Sequence, residues 1–181
     1  IALSGLHSFY LPKARKIVDI KIYLEPEEML RQHLKILRDK EKRGYTKEQV
    51  LAQISSRNAD REKYILPQEQ FADLCFKVGA DNNFAIGEKN QNIELTLKVI
   101  IDANIVLDDL YDELEKVDTI GFRYDYSSNL VSQEILFKGK ISANKLADIA
   151  GRVVKNIDEI IDKRPVWLSD YQGIQQLFII I

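Results

Sequence analysis

The chain has 181 residues, 45% of them hydrophobic and 30% charged, with a formal net charge of −2. This is the balance of a globular protein of one large domain or two small ones, and its near-neutral charge leaves no electrostatic footprint for nucleic acid. One cysteine, Cys75, excludes an internal disulfide and suits a reducing, cytoplasmic setting, while no apolar run reaches the roughly 18 residues of a membrane helix and no signal peptide is visible.

Both ends are apolar, Ile1-Ala2-Leu3 and Phe178-Ile179-Ile180-Ile181. Chain ends are usually polar and frayed, so these read as strands cut from a longer polypeptide, or as ordered ends trimmed of their tails. Residues 17–24 predict a strand that stops at Glu25-Pro26. Residues 27–43 predict a helix with Pro26 near its start and Gly44 just past its end. Thr46-Lys47-Glu48-Gln49 has the form of a capping box, opening a second helix whose apolar face is Val50, Leu51 and Ile54. Residues 74–78 predict a short strand. Residues 79–92, rich in glycine, asparagine and aspartate, predict a linker and the best domain boundary.

Beyond it the rhythm changes. Leu95, Leu97, Val99 and Ile101 alternate as in a half-buried strand. Asn104 is placed to cap a helix with Leu107, Leu110, Tyr111, Leu114 and Val117 on one face. Ile120, Phe122, Tyr124 and Tyr126 alternate again, Ser127-Ser128-Asn129 predicts a turn, and residues 134–141 predict the paired strand. Ser142 or Asn144 opens a long helix, with Leu146, Ile149, Val153, Ile157 and Ile160 inward, ending before Pro165, and residues 177–181 predict a last strand. The order β-α-β-β-α-β resembles a split βαβ, ferredoxin-like layer.

The first helix carries the most chemistry. Arg31, Lys35, Arg38 and Lys42 recur at spacings of four, three and four and share one face, with Arg43 following at the helix end. Such a stripe is either a solvated cationic surface, partly balanced by Glu28, Asp39 and Glu41, or an anion site in which arginine forks meet phosphate. Other clusters are thin. Asp108, Asp109, Asp112 and Glu113 read as a solvated helix face. With His7 and His33 the only histidines, no histidine-rich metal site is available. Phe122, Tyr124 and Tyr126 read as strand residues rather than base-stacking ones, because no basic surround accompanies them.

Three motifs in order resemble the phosphoribulokinase/uridine kinase family. Gly5-Leu6-His7 followed by Asp19-Ile20-Lys21-Ile22-Tyr23-Leu24 is similar to its "GLH … D-x-K-I-Y-L" run. His33-Leu34-Lys35-Ile36-Leu37-Arg38-Asp39 and Arg43-Gly44-Tyr45-Thr46 are similar to its lid. Tyr64-Ile65-Leu66-Pro67-Gln68 with Phe71-Ala72-Asp73 is similar to its "Y-I-x-P-Q … F/Y-A-D". The resemblance spans about residues 4–73. It implies an α/β fold in which residues 1–78 are the C-terminal part of a P-loop kinase, an incomplete parallel sheet with lid helices. After the 79–92 linker, residues 93–181 form the α+β module of unknown role.

The resemblance also implies transfer of the ATP γ-phosphoryl group, with Mg, to a hydroxyl of a small sugar phosphate or nucleoside, a chemistry that rests on positioning and positive charge. By motif match, Arg38 and Arg43 are the lid arginines that close over phosphates. Arg31 and Lys35 share their face. His7 matches a histidine near the acceptor, or else is a hydrogen-bonded turn residue. Arg57 and Tyr64 either face the site or hold the second helix. The expected partners are the P-loop half of the kinase, a small-molecule substrate and, as an open question, a second copy; neither nucleic acid nor membrane is expected.

Two departures stand out. The family's glutamate before Gly-Leu-His is Ser4 here, a weaker magnesium ligand, and no protein metal ligand is assigned. No G-x-x-x-x-G-K-[ST] occurs, since Gly139-Lys140 is followed by Ile141 and preceded, five positions earlier, by Glu134. These 181 residues alone are therefore expected to be inactive. The rival expectation is a non-catalytic anion-binding or assembly module derived from such a kinase.

Overall fold

The computed structural model describes residues 2–160 and 165–181. Ile1 and the 161–164 end of the long predicted helix lie outside the described residues. The first elements are α1 (Pro12–Ile17), β1 (Ile22–Pro26), α2 (Glu28–Arg43) and α3 (Lys47–Ser56). They start and stop where local chemistry dictates. Gly44 ends α2 at φ +68, a left-handed conformation cheap only for glycine, and its N–H donates to the Asp39 carbonyl. Thr46 and Gln49 form the expected reciprocal capping box on α3. Short helical turns follow: α4 (Asn58–Asp60), a π-helical turn (Arg61–Ile65) and a 3-10 turn (Leu66–Phe71).

The remaining elements are β2 (Leu74–Ala80), β3 (Leu95–Asp102), α5 (Asp108–Leu114), β4 (Ile120–Tyr126), β5 (Ser132–Gly139), α6 (Ala143–Val153), α7 (Ile157–Ile160) and α8 (Asp170–Ile180). Among the described residues the strands form one five-stranded sheet in the order β1-β2-β3-β5-β4. Only β1 and β2 are parallel; β2–β3, β3–β5 and β5–β4 are antiparallel. Because β3 and β4 are both antiparallel to β5, they run parallel to each other with β5 between them, as in a split βαβ.

Several expectations need correction. Residues 177–181 are not a strand. Gly173, Ile174, Leu177 and Phe178 are buried on one face of α8, so 3.6-residue periodicity and packing override the strand preference of the terminal isoleucines. Among the described residues the position a fourth strand would take beside β3 is filled by β2, antiparallel to it. Ala2 and Leu3 lie outside any strand. The strand predicted over 17–24 starts only at Ile22, since residues 12–17, with Pro12 at the first turn, form α1.

The linker expected at 79–92 falls inside one continuous sheet. β2 and β3 pair from Leu74↔Ile101 to Ala80↔Leu95, and Leu74 and Phe76 share a core with Leu97, Val99, Ile135, Phe137, Leu146 and Leu177. The connecting loop is itself ordered by side chains. Asn82 Nδ2 donates to the Asn92 carbonyl (2.7 Å) while its Oδ1 accepts from the Glu94 N–H (2.9 Å). Gln91 bridges the backbone of Ala85 and Glu88. The loop then docks on α2, where the Gly87 N–H donates to buried His33 Nδ1 (3.1 Å) and Phe84 meets the His33 ring edge-on. Gly87, at φ +83, lies against Ile36 so closely that a Cβ there would sit 2.8 Å from Cγ2. Two isolated packing units separated by a free linker are therefore not what these residues form.

Candidate functional site

A cleft of about 710 Å³ opens at the C-terminal end of β1, the end of a parallel strand where α/β proteins gather ligands. Its floor includes Leu24, Glu25 and Pro26, and its walls come from α2, the end of α3, the helical turns after it and the loop before α1. Arg31, Lys35 and Arg38, at i, i+4 and i+7 of α2, line one wall; Arg57 and Arg61 line another; His7 lies at the rim. The stripe read from α2 thus meets charges from a second element, which periodicity alone does not reveal.

The cations differ in how they are held. Arg31 is tied to Glu28 by two bonds, Nε to Oε2 at 2.9 Å and a terminal nitrogen to Oε1 at 2.6 Å, so its charge is partly satisfied. Arg61 is ion-paired with Glu25. Arg38 donates from Nε to Asp39 Oδ1 at 2.9 Å and stays half exposed, leaving its terminal nitrogens for the cleft. Among the described residues neither Lys35 nor Arg57 has an ion-pair partner. Burial, reinforced by the nearby charges of Arg57, Arg31 and Arg38, pulls the Lys35 ammonium below the usual lysine range, although Asp39 opposes the shift. A site that makes its own lysine reluctant to stay charged is one where an anion would relieve the field.

Arg43 does not line the cleft. Its guanidinium lies 3.6 Å from the same Asp39 oxygen and is otherwise exposed. Asp39 is fully buried, and its Oδ2 has no hydrogen-bond partner. The Arg38 hydrogen bond, aided by Arg43 and Lys35, holds its carboxyl below the ordinary range despite burial. Arg43 therefore reaches the site through Asp39 and Arg38. Lys42 is exposed and outside the cleft.

Tyr64 also lies outside the lining, but it is not remote. Its ring packs edge-on against His7 (6.5 Å between centroids) and Tyr10 (5.4 Å), and Tyr10 likewise meets His7 (6.1 Å). Behind this triangle sits buried Gln68. Its Oε1 accepts the Phe9 N–H at 2.8 Å, and its Nε2 donates to the carbonyls of Leu6 (2.8 Å) and Tyr64 (2.7 Å). The glutamine of the third motif thus fixes the Gly5-Leu6-His7 loop of the first. Arg61 and Glu25 carry the site's geometry without a site role having been read for them, and Gln68 was read only as part of the third motif, with no clamp role. A polar residue following Leu66-Pro67 was the available signal for Gln68; Arg61 had none, since it lies off the α2 stripe.

Magnesium, implied by the resemblance, finds few ligands among these residues. The cleft carboxylates are Glu25, engaged by Arg61, and Asp60. Ser4 lines a neighbouring groove, and no group of three or more His, Cys, Asp or Glu suited to an ion occurs among the described residues. Cys75 is buried, its thiol pushed up to about 11 mainly by that burial, which leaves it unreactive. No helix among the described residues is long and apolar enough to cross a membrane.

Comparison with known proteins bears on this same segment. Residues 1–85 match the model of the Phosphoribulokinase / Uridine kinase family. The chain is 40% identical over 78 residues to a phosphoribulokinase of Synechocystis, covering 43% of this chain and 24% of that protein. It is 37% identical over 78 residues to the chloroplastic phosphoribulokinase of Spinacia oleracea, covering 43% and 19%. With uridine-cytidine kinase A of Dictyostelium discoideum it shares 33% identity over 99 residues, covering 54% and 20%. The chain therefore spans about a fifth to a quarter of the length of these relatives. The likeness read from three short motifs is borne out over a longer stretch: residues 1–85, cleft included, match the phosphoribulokinase/uridine kinase family.

Proposed function

We propose that this chain is part of an ATP-dependent kinase that transfers the γ-phosphoryl group to a hydroxyl of a sugar phosphate or nucleoside, and that its cleft receives the anionic groups. The observation that carries this reading is the meeting of Arg31, Lys35, Arg38 and Arg57 with His7 in one cleft at the end of β1. Phosphoryl transfer asks a protein for positioning and compensating positive charge. Lys35 and Arg57 supply unspent charge, Arg38 offers a guanidinium whose orientation Asp39 sets, and His7, held by the Gln68 clamp, is placed to contact the acceptor.

The phosphate-cradling loop is assigned to a P-loop half packing on β1. Supporting this, β1 is a sheet edge, and Leu6, Ile20 and Leu24 are 63–73% exposed beside it. An apolar groove of about 570 Å³ runs there between Leu3, Leu24 and Ile179. Apolar surface of this kind on a sheet edge marks an interaction site.

The test is a two-dimensional NMR titration of the 181-residue chain with a sugar monophosphate and with the same sugar unphosphorylated. Expected are shifts at Lys35, Arg57 and His7 with the phosphate only, weakening as salt rises. No binding at millimolar phosphate, or shifts confined to Lys138 and Lys140, would sink the reading. The same chain should transfer no labelled γ-phosphate above a contaminant control, because it contains no G-x-x-x-x-G-K-[ST]. Binding without turnover even in a polypeptide that carries a phosphate loop would favour the non-catalytic module instead.

A further inference from the structure

We propose that the chain carries a second ligand site, beside the start of β3, and that it takes a free apolar α-amino acid. The side chain of that zwitterion enters an apolar cavity, and its two charged groups meet opposite charges at the rim. The cavity, about 460 Å³, has the size of an ordinary small-molecule site. It lies at the end of the sheet where β2 and β5 finish and β3 and β4 begin, around the pairs Ala80↔Leu95, Thr96↔Lys138 and Ile120↔Gly139. It shares no lining residue with the α2 cleft. Its floor is made by Leu97, Ile120 and Phe137, on the core-facing side of three strands, and by Ile174 of α8. All four are nearly fully buried, so the floor is closed. Half-buried Leu95 and Tyr171 stand as walls above it.

The rim is fixed in advance on both sides. On one, the Asp81 N–H donates to the Glu94 carbonyl at 2.8 Å, and Asn82 holds the Asn92 carbonyl and the Glu94 N–H. On the other, the Asp170 N–H donates to the Ile141 carbonyl at 2.8 Å, while Asp170 Oδ1 accepts the Ile141 N–H at 3.0 Å. A rim ordered without its ligand spares much of the entropy that binding costs. Its charges select the ligand. Lys138 is spent on Asp81, but among the described residues Glu94, Lys140 and Asp170 have no ion-pair partner. A hydrocarbon would leave all three unmet. An anion would satisfy Lys140 and face two carboxylates, and a cation would satisfy a carboxylate and face Lys140. A zwitterion gives its ammonium to Glu94 or Asp170 and its carboxylate to Lys140, so both ends form charge-assisted hydrogen bonds. The closed floor then favours a branched aliphatic or aromatic side chain, which buries more apolar surface than a methyl group.

Titration of the 181-residue chain with L-leucine, followed by two-dimensional NMR, provides the test. Three controls each lack one feature: isocaproate has no ammonium, isopentylamine no carboxylate, and L-alanine no apolar body. Expected are saturable shifts at Leu95, Phe137, Tyr171 and Ile174 with leucine, and binding about tenfold weaker or worse for every control. Lys140→Met alters an exposed side chain that holds nothing in the fold, so the spectrum should be kept while leucine binds about tenfold more weakly. The pair E94Q/D170N should do the same, since asparagine retains the oxygen that accepts the Ile141 N–H. No saturable shift at millimolar leucine would overturn the proposal, as would shifts confined to the α2 cleft. Any control that binds as tightly as leucine, or either variant that binds leucine like the wild type, would overturn it equally.

Discussion

The two regions that share this sheet are packed very differently. Around β3, β5 and their helices runs one apolar core, with Phe137, Leu97, Ile135, Leu146, Ile149 and Leu177 all nearly or fully buried and aromatic rings layered from Phe178 through Phe137 to Phe122 and Tyr111. Around α2 and α3 the apolar centre is Ile36, Val50 and Ile54, with Leu51 and Ile86 beside it. The rest of that region is held by polar devices: the Gln68 clamp, the Asp39 pair with Arg38 and Arg43, the Thr46 capping box and the His33–Gly87 bond. A region that lines one cleft with five cations has little apolar surface left to bury. With its smaller apolar centre it is expected to open before the β3–β5 core.

The difference breaks if the two centres unfold as one. Phe137→Ala should cost about 3–5 kcal/mol and lower the midpoint of chemical unfolding for the whole chain. Ile36→Ala removes a comparable contact, worth about 2–5 kcal/mol, yet its loss should appear first as faster hydrogen exchange in α2 and α3 while β3 and β5 stay protected. Equal loss of protection in β3 would show a single cooperative unit and abolish the distinction. A smaller effect is expected at the clamp. Gln68→Ala leaves the Phe9 N–H and the Leu6 carbonyl without their side-chain partner, about 1–3 kcal/mol for buried polar groups, and should speed exchange in residues 5–10 specifically. If exchange there is unchanged, Gln68 does not hold the His7 loop.

Acid sharpens the contrast. Asp39 has its folded pKa lowered, so its contribution is complete above the unfolded carboxyl value, about 3.9, and is lost as pH falls from there through the lower folded value. Stability of the α2–α3 region should therefore decline below about pH 4, and Asp39→Asn should flatten that limb. An unaltered acid limb in Asp39→Asn would mean that other carboxylates carry it.

How much of this was visible in sequence follows from the range of the forces involved. Local rules placed α2, the Thr46 box, β3 and β4, because Gly44, Gln49 and the alternation from Leu95 act within a few residues. They failed at α8, where Ile179 and Ile180 favour a strand but Leu177 and Phe178 find the core by helical spacing. They failed also at residues 79–92, whose asparagines signalled a linker although Asn82, Gln91 and Gly87 fasten the segment to itself and to His33. In the cleft, Arg31, Lys35 and Arg38 were legible as one helical face, and His7 and Arg57 only through family likeness. Arg61 and the Gln68 clamp depend on contacts across 36 to 62 positions, which no local pattern encodes. The separation of Arg43 from the cleft was equally hidden, since motif order puts it beside Arg38 and only the buried Asp39 shows which of the two faces inward.

The smallest effect on stability is expected where the effect on binding is greatest. Lys35 and Arg57 have no ion-pair partner among the described residues and sit among like charges, so Lys35→Gln and Arg57→Gln should change stability by no more than about 0.5 kcal/mol, as at ordinary surface sites. Relief of repulsion makes a slight gain the more natural sign. Both should weaken phosphate binding, and the salt dependence of what remains should flatten, because fewer fixed charges face the anion. Arg43→Gln is the matched comparison. It removes a charge of the same sign at the end of the same helix but outside the cleft, and it loosens the hold on Asp39. Phosphate affinity should barely fall while the acid limb of stability flattens in part, because the folded Asp39 value moves back toward the unfolded one. Titration calorimetry of the three variants alongside acid unfolding separates the roles. If Arg43→Gln abolishes phosphate binding while Lys35→Gln leaves it intact, the anion is held beyond the end of α2 rather than in the cleft, and the cations gathered beneath β1 serve only the fold.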